Sequence, residues 1–428
     1  MNSSRRRAFR ALLLTLAACG CVAAVYSAGR SQVAGNNRLN RPAEVNAADF
    51  GSLQEAFDAL PETGGAVRLP PGEFELERPL VMTKGEVRIQ GAGPATRLIN
   101  RNERGEPALI IRHANRPGGR GRIWRVELTG VRISGNPKSG DGVLADGVNE
   151  IYIHDVWVDH NGGNGINLTD CYEDPRVSNS IITYNGKAGL SVFETHDIVV
   201  SANQFEENQD GVRAIESYNL CMTGNDLDDH LRHGVVIERT CCSVVSGNMI
   251  EEGQGIGIVV DRDAYALTIG SNVLISNISG GIDLRDAWGV SVSANTLSLM
   301  PQPALRVGPG SGRITVTGNN FSNSFTGEGS RRKEDFRMPP LGTSSYATGI
   351  LLTGATDVAI TGNLFAGLVE EAVKTEKGCR RVALAGNVAA DLGRRRSGKL
   401  PAFDLRGAVD GVAGSNTIER GFEAPEGR

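Results

Sequence analysis

Val245-Ser-Gly-Asn248-Met-Ile250 decides the fold, because the same phrase returns along most of the chain. It recurs as Val200-Ser-Ala-Asn203-Gln-Phe205, Met222-Thr-Gly-Asn225-Asp-Leu227, Val292-Ser-Ala-Asn295-Thr-Leu297 and Ile360-Thr-Gly-Asn363-Leu-Phe365. The column runs Ser180, Asn203, Asn225, Asn248, Asn272, Asn295, Asn319, Asn363, Asn387 and Asn416, in steps of 23, 22, 23, 24, 23, 24, 44, 24 and 29 residues. A repeat of this length marks a solenoid.

Within each phrase β-branched residues alternate with polar ones and a small residue precedes Asn, which reads as strand, tight turn, strand. A second block, small-apolar-any-apolar, precedes each Asn: Gly165-Ile-Asn-Leu168, Gly189-Leu-Ser-Val192, Gly211-Val-Arg-Ala214, Gly234-Val-Val-Ile237, Gly281-Ile-Asp-Leu284 and Gly349-Ile-Leu-Leu352. Each period then holds three short strands. One such coil cannot bury its apolar face alone, so coils stack, each strand pairing in parallel with its copy about 4.8 Å away. Parallel crossovers are right-handed, and the fold class is therefore an all-β, right-handed parallel β-helix. The Leu-x-x-Leu-x-Leu phasing of a leucine-rich repeat is absent. Asn suits the turn column because it tolerates left-handed backbone and its amide can bond the next coil.

Glycine makes up 55 of 428 residues, in keeping with a chain that turns several times per coil. A net charge of −4 leaves no global basic field for nucleic acid. Residues 1–28 carry Arg5-Arg6-Arg7 and Arg10 before the apolar run Ala11–Val25, the pattern of a secretory signal. Arg6-Arg7-Ala8-Phe9 resembles a twin-arginine signal and Leu16-Ala17-Ala18-Cys19 a lipobox. An ordinary signal cut near Ala24 or Ser27, or an uncleaved anchor, is the alternative. The expectation is an exported protein, periplasmic, envelope-bound or extracellular, touching a membrane only through this segment. The remaining cysteines, Cys171, Cys221, Cys241, Cys242 and Cys379, form neither a disulfide framework nor a zinc pair.

Residues 29–45 read as a linker and 46–420 as the β-helix domain. Leu53, Ala56, Phe57 and Leu60 recur at helical spacing behind Ser52, an N-cap residue type; such a helix would cover the open end of the first coil. The succession Leu53-Gln-Glu-Ala-Phe57, Gly64-Gly65, Leu69-Pro-Pro-Gly72, Gly91-Ala-Gly93 resembles the start of the pectate-lyase-like β-helix superfamily, over about 45–420. That superfamily includes lyases, glycoside hydrolases, uronate epimerases, phage tailspikes and non-catalytic modules, so the resemblance implies a fold rather than one activity. The single gap in the Asn column holds one coil plus an insertion, 323–347, containing Arg331-Arg-Lys-Glu-Asp-Phe-Arg-Met-Pro-Pro340. The resemblance implies that such loops wall a substrate cleft.

In the small-apolar-any-apolar strand, residues between the inward positions face solvent. They read Asn167, Ser191, Arg213, Val236, Val259, Asp283 and Arg306, then Thr169, Phe193, Ile215, Glu238, Asp261 and Arg285, and at the strand edge Asp170, Glu194, Glu216, Arg239, Arg262 and Asp286. Glu194 with Glu216 would match the carboxylate spacing of a retaining glycosidase, and Asp170 with Glu216 that of an inverting one. The same acids could hold Ca²⁺, and an exposed stripe of mixed charge also keeps a β-helix soluble. The densest constellation is Asp226-Leu-Asp228-Asp229-His230-Leu-Arg232-His233 before Glu238-Arg239. It offers His233, His230 and Asp229 as acid or base and Arg239 to stabilise an enolate. Arg213, Glu216, Glu238, Glu194, Asp170 and Arg262 would bind sugar. His160 lies in the matching turn three coils earlier.

The Asp-Pro-His-Asp segment of mannuronan epimerases is missing, and the polygalacturonase set is represented only by Asp228-Asp229 and part of a Gly-His-Gly at His233. The expected function is a carbohydrate-active protein acting on an acidic polysaccharide, with uronate lyase or epimerase chemistry ahead of hydrolysis. The alternative is a non-catalytic envelope module that binds glycan or a periplasmic partner, resembling β-helix accessory proteins of metalloenzyme maturation. Stacking aromatics for a glycan cleft look few: Phe193, Tyr184 and Trp288.

Overall fold

A computed structural model describes residues 43–323, 347–394 and 400–422. The expected signal segment, nearly all of the linker and the body of the 323–347 insertion lie outside the described residues. No helix among the described residues is long and apolar enough to cross a membrane.

Nearly all described strands sort into three parallel sheets of 15, 14 and 13 strands, visited in rotation, which makes a solenoid of about 13 turns. Sheet 1 runs from Glu44–Asn46 to Ala408–Ala413, sheet 2 from Gly72–Leu76 to Thr417–Ile418, and sheet 3 from Leu80–Met82 to Phe403–Asp404. The repeated phrases stack in register: Phe205 pairs with Leu227, Leu227 with Ile250 and Ile250 with Leu274. These inward residues are buried in one continuous core.

The asparagines sit at the turn from sheet 1 to sheet 2. The Asn203 backbone N–H and its Nδ2 both donate to Asn225 Oδ1, at 3.1 and 3.0 Å, while Nδ2 also reaches the Val177 carbonyl at 3.0 Å. The pattern continues from coil to coil and crosses the long gap, where Asn319 N–H reaches Asn363 Oδ1 at 2.9 Å. Buried donors and acceptors are thereby satisfied in the interior of the turn. One expectation is corrected. The left-handed residue is the small one before Asn, with φ of 55° at Ala202, 64° at Gly224 and 69° at Gly247, which frees the Asn side chain to point inward.

The small residue opening each sheet 3 strand has an equally local cause. A Cβ on Gly234 would lie 2.6 Å from the Gly257 carbonyl oxygen of the next coil, closer than packing allows. A six-residue helix, Leu53–Asp58, precedes the first full coil; Ser52 accepts the Glu55 N–H at 3.2 Å, and Leu53, Ala56 and Phe57 are buried.

Candidate functional site

The outer face of sheet 3 carries the mixed-charge stripe in the expected order. Arg213 pairs with Val236, Val236 with Val259, Val259 with Asp283 and Asp283 with Arg306; alongside, Ile215 pairs with Glu238 and Glu238 with Asp261. Expected solvent exposure is corrected at the centre. Val236 and Val259 are 2% and 1% exposed and form a small apolar cluster with Ile256, while Glu238 and Asp283 are also buried. The middle of this face is thus a covered floor, where electrostatic interactions are stronger than in water.

Asp210, at the start of the strand Asp210–Ile215, organises one margin of that floor. Its fully buried carboxylate accepts Arg213 Nη1 at 2.9 Å, Arg232 Nε at 2.8 Å and the His233 N–H at 3.1 Å. Burial pushes the Asp210 carboxyl up, but these hydrogen bonds outweigh it and hold it below the usual range. His233 is half-buried, and burial lowers its pKa; nearby Arg232, Arg285 and Arg213 lower it further, against the pull of Asp210. Its Nδ1 accepts the Ile256 N–H at 3.1 Å, so the neutral ring carries its proton on Nε2. A neutral imidazole therefore stands among three guanidinium groups.

The far margin is set by backbone conformation. Asp170, Glu194, Glu216, Arg239 and Arg262, which close successive strands, all have left-handed φ between 46° and 58°. Glu216 binds Arg239 at 2.6 Å, Glu238 lies 3.2 Å from Arg262 and 3.9 Å from Arg213, and Arg285 pairs with Asp283 at 2.9 Å. His233 and Arg239 flank the strand Val235–Glu238, roughly 20 Å of chain apart at about 3.3 Å per residue. They stand on opposite margins and do not converge on one atom.

Other expectations are corrected as well. His230 does not overhang the face: it is buried, and its Nδ1 accepts the Asn208 N–H at 3.3 Å in a second interior column, Asn161, Asn185, Asn208, His230. Burial depresses it to about 4. Asp170 is no free hydrolytic carboxylate, because Arg122 holds it at 2.6 Å and Arg116 binds its other oxygen. The His160 comparison shifts as well: His160 stacks on Tyr184, and its equivalents are Glu207 and Asp229, reached through the bonds of Tyr184 N–H to Glu206 O and Glu207 N–H to Asp228 O.

Asp229 faces a different neighbourhood, the margin of sheet 2. Glu206, Asp228 and Glu251 stack in one register, with Glu207, Asp229 and Glu252 beside them at left-handed turn positions. None of these makes an ion pair among the described residues. Oxygens of Asp228, Asp229 and Glu252 lie within 4.8 Å of one another. Burial and the surrounding acids Asp229, Glu251, Asp226 and Glu252 push Asp228 up to about 6. Sequence reading missed Glu206, Glu207, Glu251 and Glu252, and missed Asp210 as the hub of the groove. Their signal was register: each sits one coil period from an acid or basic residue already singled out.

A three-sheet parallel solenoid with a charged, partly buried outer face on sheet 3 defines the class, and the sequence comparison agrees. The chain belongs to the right handed beta helix region family, whose model matches residues 120–260 and 241–393. Among solved structures it is similar to the A-module of mannuronan C-5 epimerase AlgE4 of Azotobacter vinelandii, at TM-score 0.58 and 16% identity, covering 88% of this chain and 97% of that one. The AlgE6 A-module of the same organism gives 0.57 and 16%, covering 88% and 99%. PfbA, a surface adhesin of Streptococcus pneumoniae, gives 0.56 and 11%, covering 82% and 91%. At such identities the likeness is one of fold. No curated protein sequence matches the chain.

Proposed function

We propose that this is an exported protein that acts on an acidic polysaccharide through the outer face of sheet 3, with uronate epimerase or lyase chemistry ahead of hydrolysis. The observation that carries the reading is neutral His233 among Arg213, Arg232 and Arg285 beside a covered floor. Guanidinium groups so placed would bind a uronate carboxylate and stabilise the enolate formed when the adjacent carbon loses its proton. His233 would supply a proton from Nε2, to the opposite ring face in an epimerase or to the departing glycosidic oxygen in a lyase. Asp261, 3.9 Å from Arg285 and accepting the Arg262 N–H at 2.7 Å, would take the first proton. Arg239 and Arg262, with Glu216, Glu238 and Glu194 between and beside them, would grip neighbouring sugars at the far margin.

Export is read from residues 1–28. The helix Leu53–Asp58 is read as the end cap over coils of three strands each; Phe57→Asp would place a charge in that contact and cost several kcal/mol, on the order of 3, measured by thermal unfolding. The acidic array at Asp228, Asp229 and Glu252 supplies hard oxygen donors of the kind Ca²⁺ takes, and with no basic partner among the described residues it suits such an ion.

A second reading, a non-catalytic envelope module that binds glycan or a periplasmic partner, is favoured by one observation: Asp170, Glu216 and Glu238 each already sit against arginine. A polyuronate panel, with and without Ca²⁺, separates the readings by unsaturated-product absorbance, reducing ends and epimer composition. Turnover that falls about 10²-fold or more in His233→Ala supports the enzyme. Binding without turnover gives the module, and neither binding nor turnover on any polyuronate overturns the proposal.

A further inference from the structure

The turn from sheet 3 to sheet 1 stacks aromatic side chains that look scattered in the sequence. His196 pairs with Tyr218, Tyr218 with Cys241, Cys241 with Tyr265 and Tyr265 with Trp288. Tyr218 and Tyr265 are 39% and 42% exposed, and His196 lies 4.6 Å from Tyr218, edge to face. At the end of the run Trp288 lies over glycine: a Cβ on Gly312 would come within 2.8 Å of the indole.

The corner that presents these rings is built, not incidental. At the first three steps of the row a buried hydroxyl precedes the ring or thiol and binds the next coil: Thr195 N–H reaches Ser217 Oγ at 3.3 Å, and Ser217 N–H reaches Thr240 Oγ1 at 3.2 Å; buried Ala264 and Ala287 hold that place before Tyr265 and Trp288, and the Ala287 N–H reaches Ser311 Oγ at 3.1 Å. This column fixes the corner, so the ring row runs beside the charged margin of the groove, with Arg239 and Arg262 next to it. Both rows advance by one coil, about 4.8 Å.

We propose that this corner is a binding rail for an anionic polysaccharide laid parallel to the solenoid axis, its pyranose C–H faces on Tyr218, Tyr265 and Trp288 and its carboxylates toward Arg239 and Arg262. The inference rests on the polyuronate reading of the groove and adds an accessory line of contact on the margin opposite His233. The exposed rings of Tyr218 and Tyr265, with the half-buried indole of Trp288 that Arg313 flanks at 5.8 Å, offer an amphipathic surface with an apolar body, which fits the mixed polar and C–H surface of a sugar. Single-stranded nucleic acid also stacks on aromatic rows, but arginine occupies two successive coils of this margin, Arg239 and Arg262, with Glu194 and Glu216 before them and Asp286 after, too short a basic run for a continuous phosphate backbone.

The test uses the full chain and oligomers of polyguluronate, polymannuronate and polygalacturonate, with binding measured by calorimetry and by tryptophan fluorescence. Tyr265→Ala and Trp288→Ala should each weaken binding by about 10-fold, Tyr265→Phe should keep it, and Tyr152→Ala, an exposed ring on another face, should leave it unchanged. Should an Ala variant misfold, the wild-type signal decides: a ligand-dependent tryptophan change that vanishes in Trp288→Phe supports the rail, and one that persists there overturns it. Wild-type binding with both Ala variants unaffected overturns the rail and leaves the groove reading intact; no binding by wild type to any polyuronate overturns both. Tighter binding to oligothymidylate than to any polyuronate, lost in the same variants, assigns the rail to nucleic acid and overturns it as a glycan site.

Discussion

Two charged stripes lie on either side of one turn, Asp229 to Gly234, and obey the same stacking rule with opposite results. On sheet 3 both signs occur in neighbouring coils, so Asp210 gathers Arg213 and Arg232, and Glu238 lies between Arg213 and Arg262. On the sheet 2 margin the sign repeats through Glu206, Asp228 and Glu251, and burial together with neighbouring acids raises the Asp228 carboxyl to about 6. A solenoid sets each residue over its equivalent, so a neutralised groove and a repulsive array differ only in what is repeated. Like charges opposite one another across strands destabilise a sheet. On the proposed reading a cation would complete the array, whereas the acids of the groove already have arginine partners.

The largest expected effect falls on the groove. Asp210→Ala leaves Arg213 and Arg232 without their shared buried partner and should cost roughly 3–5 kcal/mol in urea unfolding, the range for a broken buried pair. An unchanged midpoint would show that Asp210 does not hold the groove together.

His230, buried in the turn between the stripes, comes next. Its folded pKa of about 4 lies below the ordinary 6.5, so the unfolded chain binds more protons between those values and stability rises with pH across that window. Lowering pH from 7 to 4 should remove up to about 3 kcal/mol on this account. His230→Asn, which extends the asparagine column, should remove that share of the dependence. Asp228 has the opposite sign. With its folded value raised to about 6 from 3.8, the folded state binds the extra proton, and its contribution is present at low pH and lost as pH rises through 6. His230→Asn and Asp228→Asn should therefore tilt the pH–stability curve in opposite directions.

The array is expected to respond to metal. Ca²⁺ at about 100 times its dissociation constant should stabilise the wild type by about 2.7 kcal/mol, and Asp228→Asn should abolish most of that. In chelator the same variant, by removing a like-charge contact, should stabilise by about 0.2–1 kcal/mol. Equal response of wild type and variant to Ca²⁺ would remove the array as the metal site.

Much of this was legible in the chain. The Asn column, the period and the outward order of Arg213, Val236, Val259 and Asp283 follow from spacing alone, because stacking turns a constant step into a column. What failed needed the third dimension. His230 and His233 look alike in sequence, yet one enters the interior column and the other faces three arginines, and only the register of Asn208 with His230 separates them. Val236 and Val259 alternate correctly, but cover over a face leaves no trace in alternation. The aromatic row was readable and overlooked: His196, Tyr218, Cys241, Tyr265 and Trp288 step by 22, 23, 24 and 23 residues, in the rhythm of the asparagines, but with a cysteine breaking the pattern.

The most direct test of the central claim, that the sheet 3 groove and not the acidic array receives the anionic chain, is oligouronate binding in chelator at low salt, compared between Arg285→Ala and Asp228→Asn. Loss of one guanidinium contact should weaken binding about 10-fold or more in Arg285→Ala, with the affinity of Asp228→Asn equal to or above that of wild type. Full affinity in Arg285→Ala together with a loss in Asp228→Asn would contradict the account.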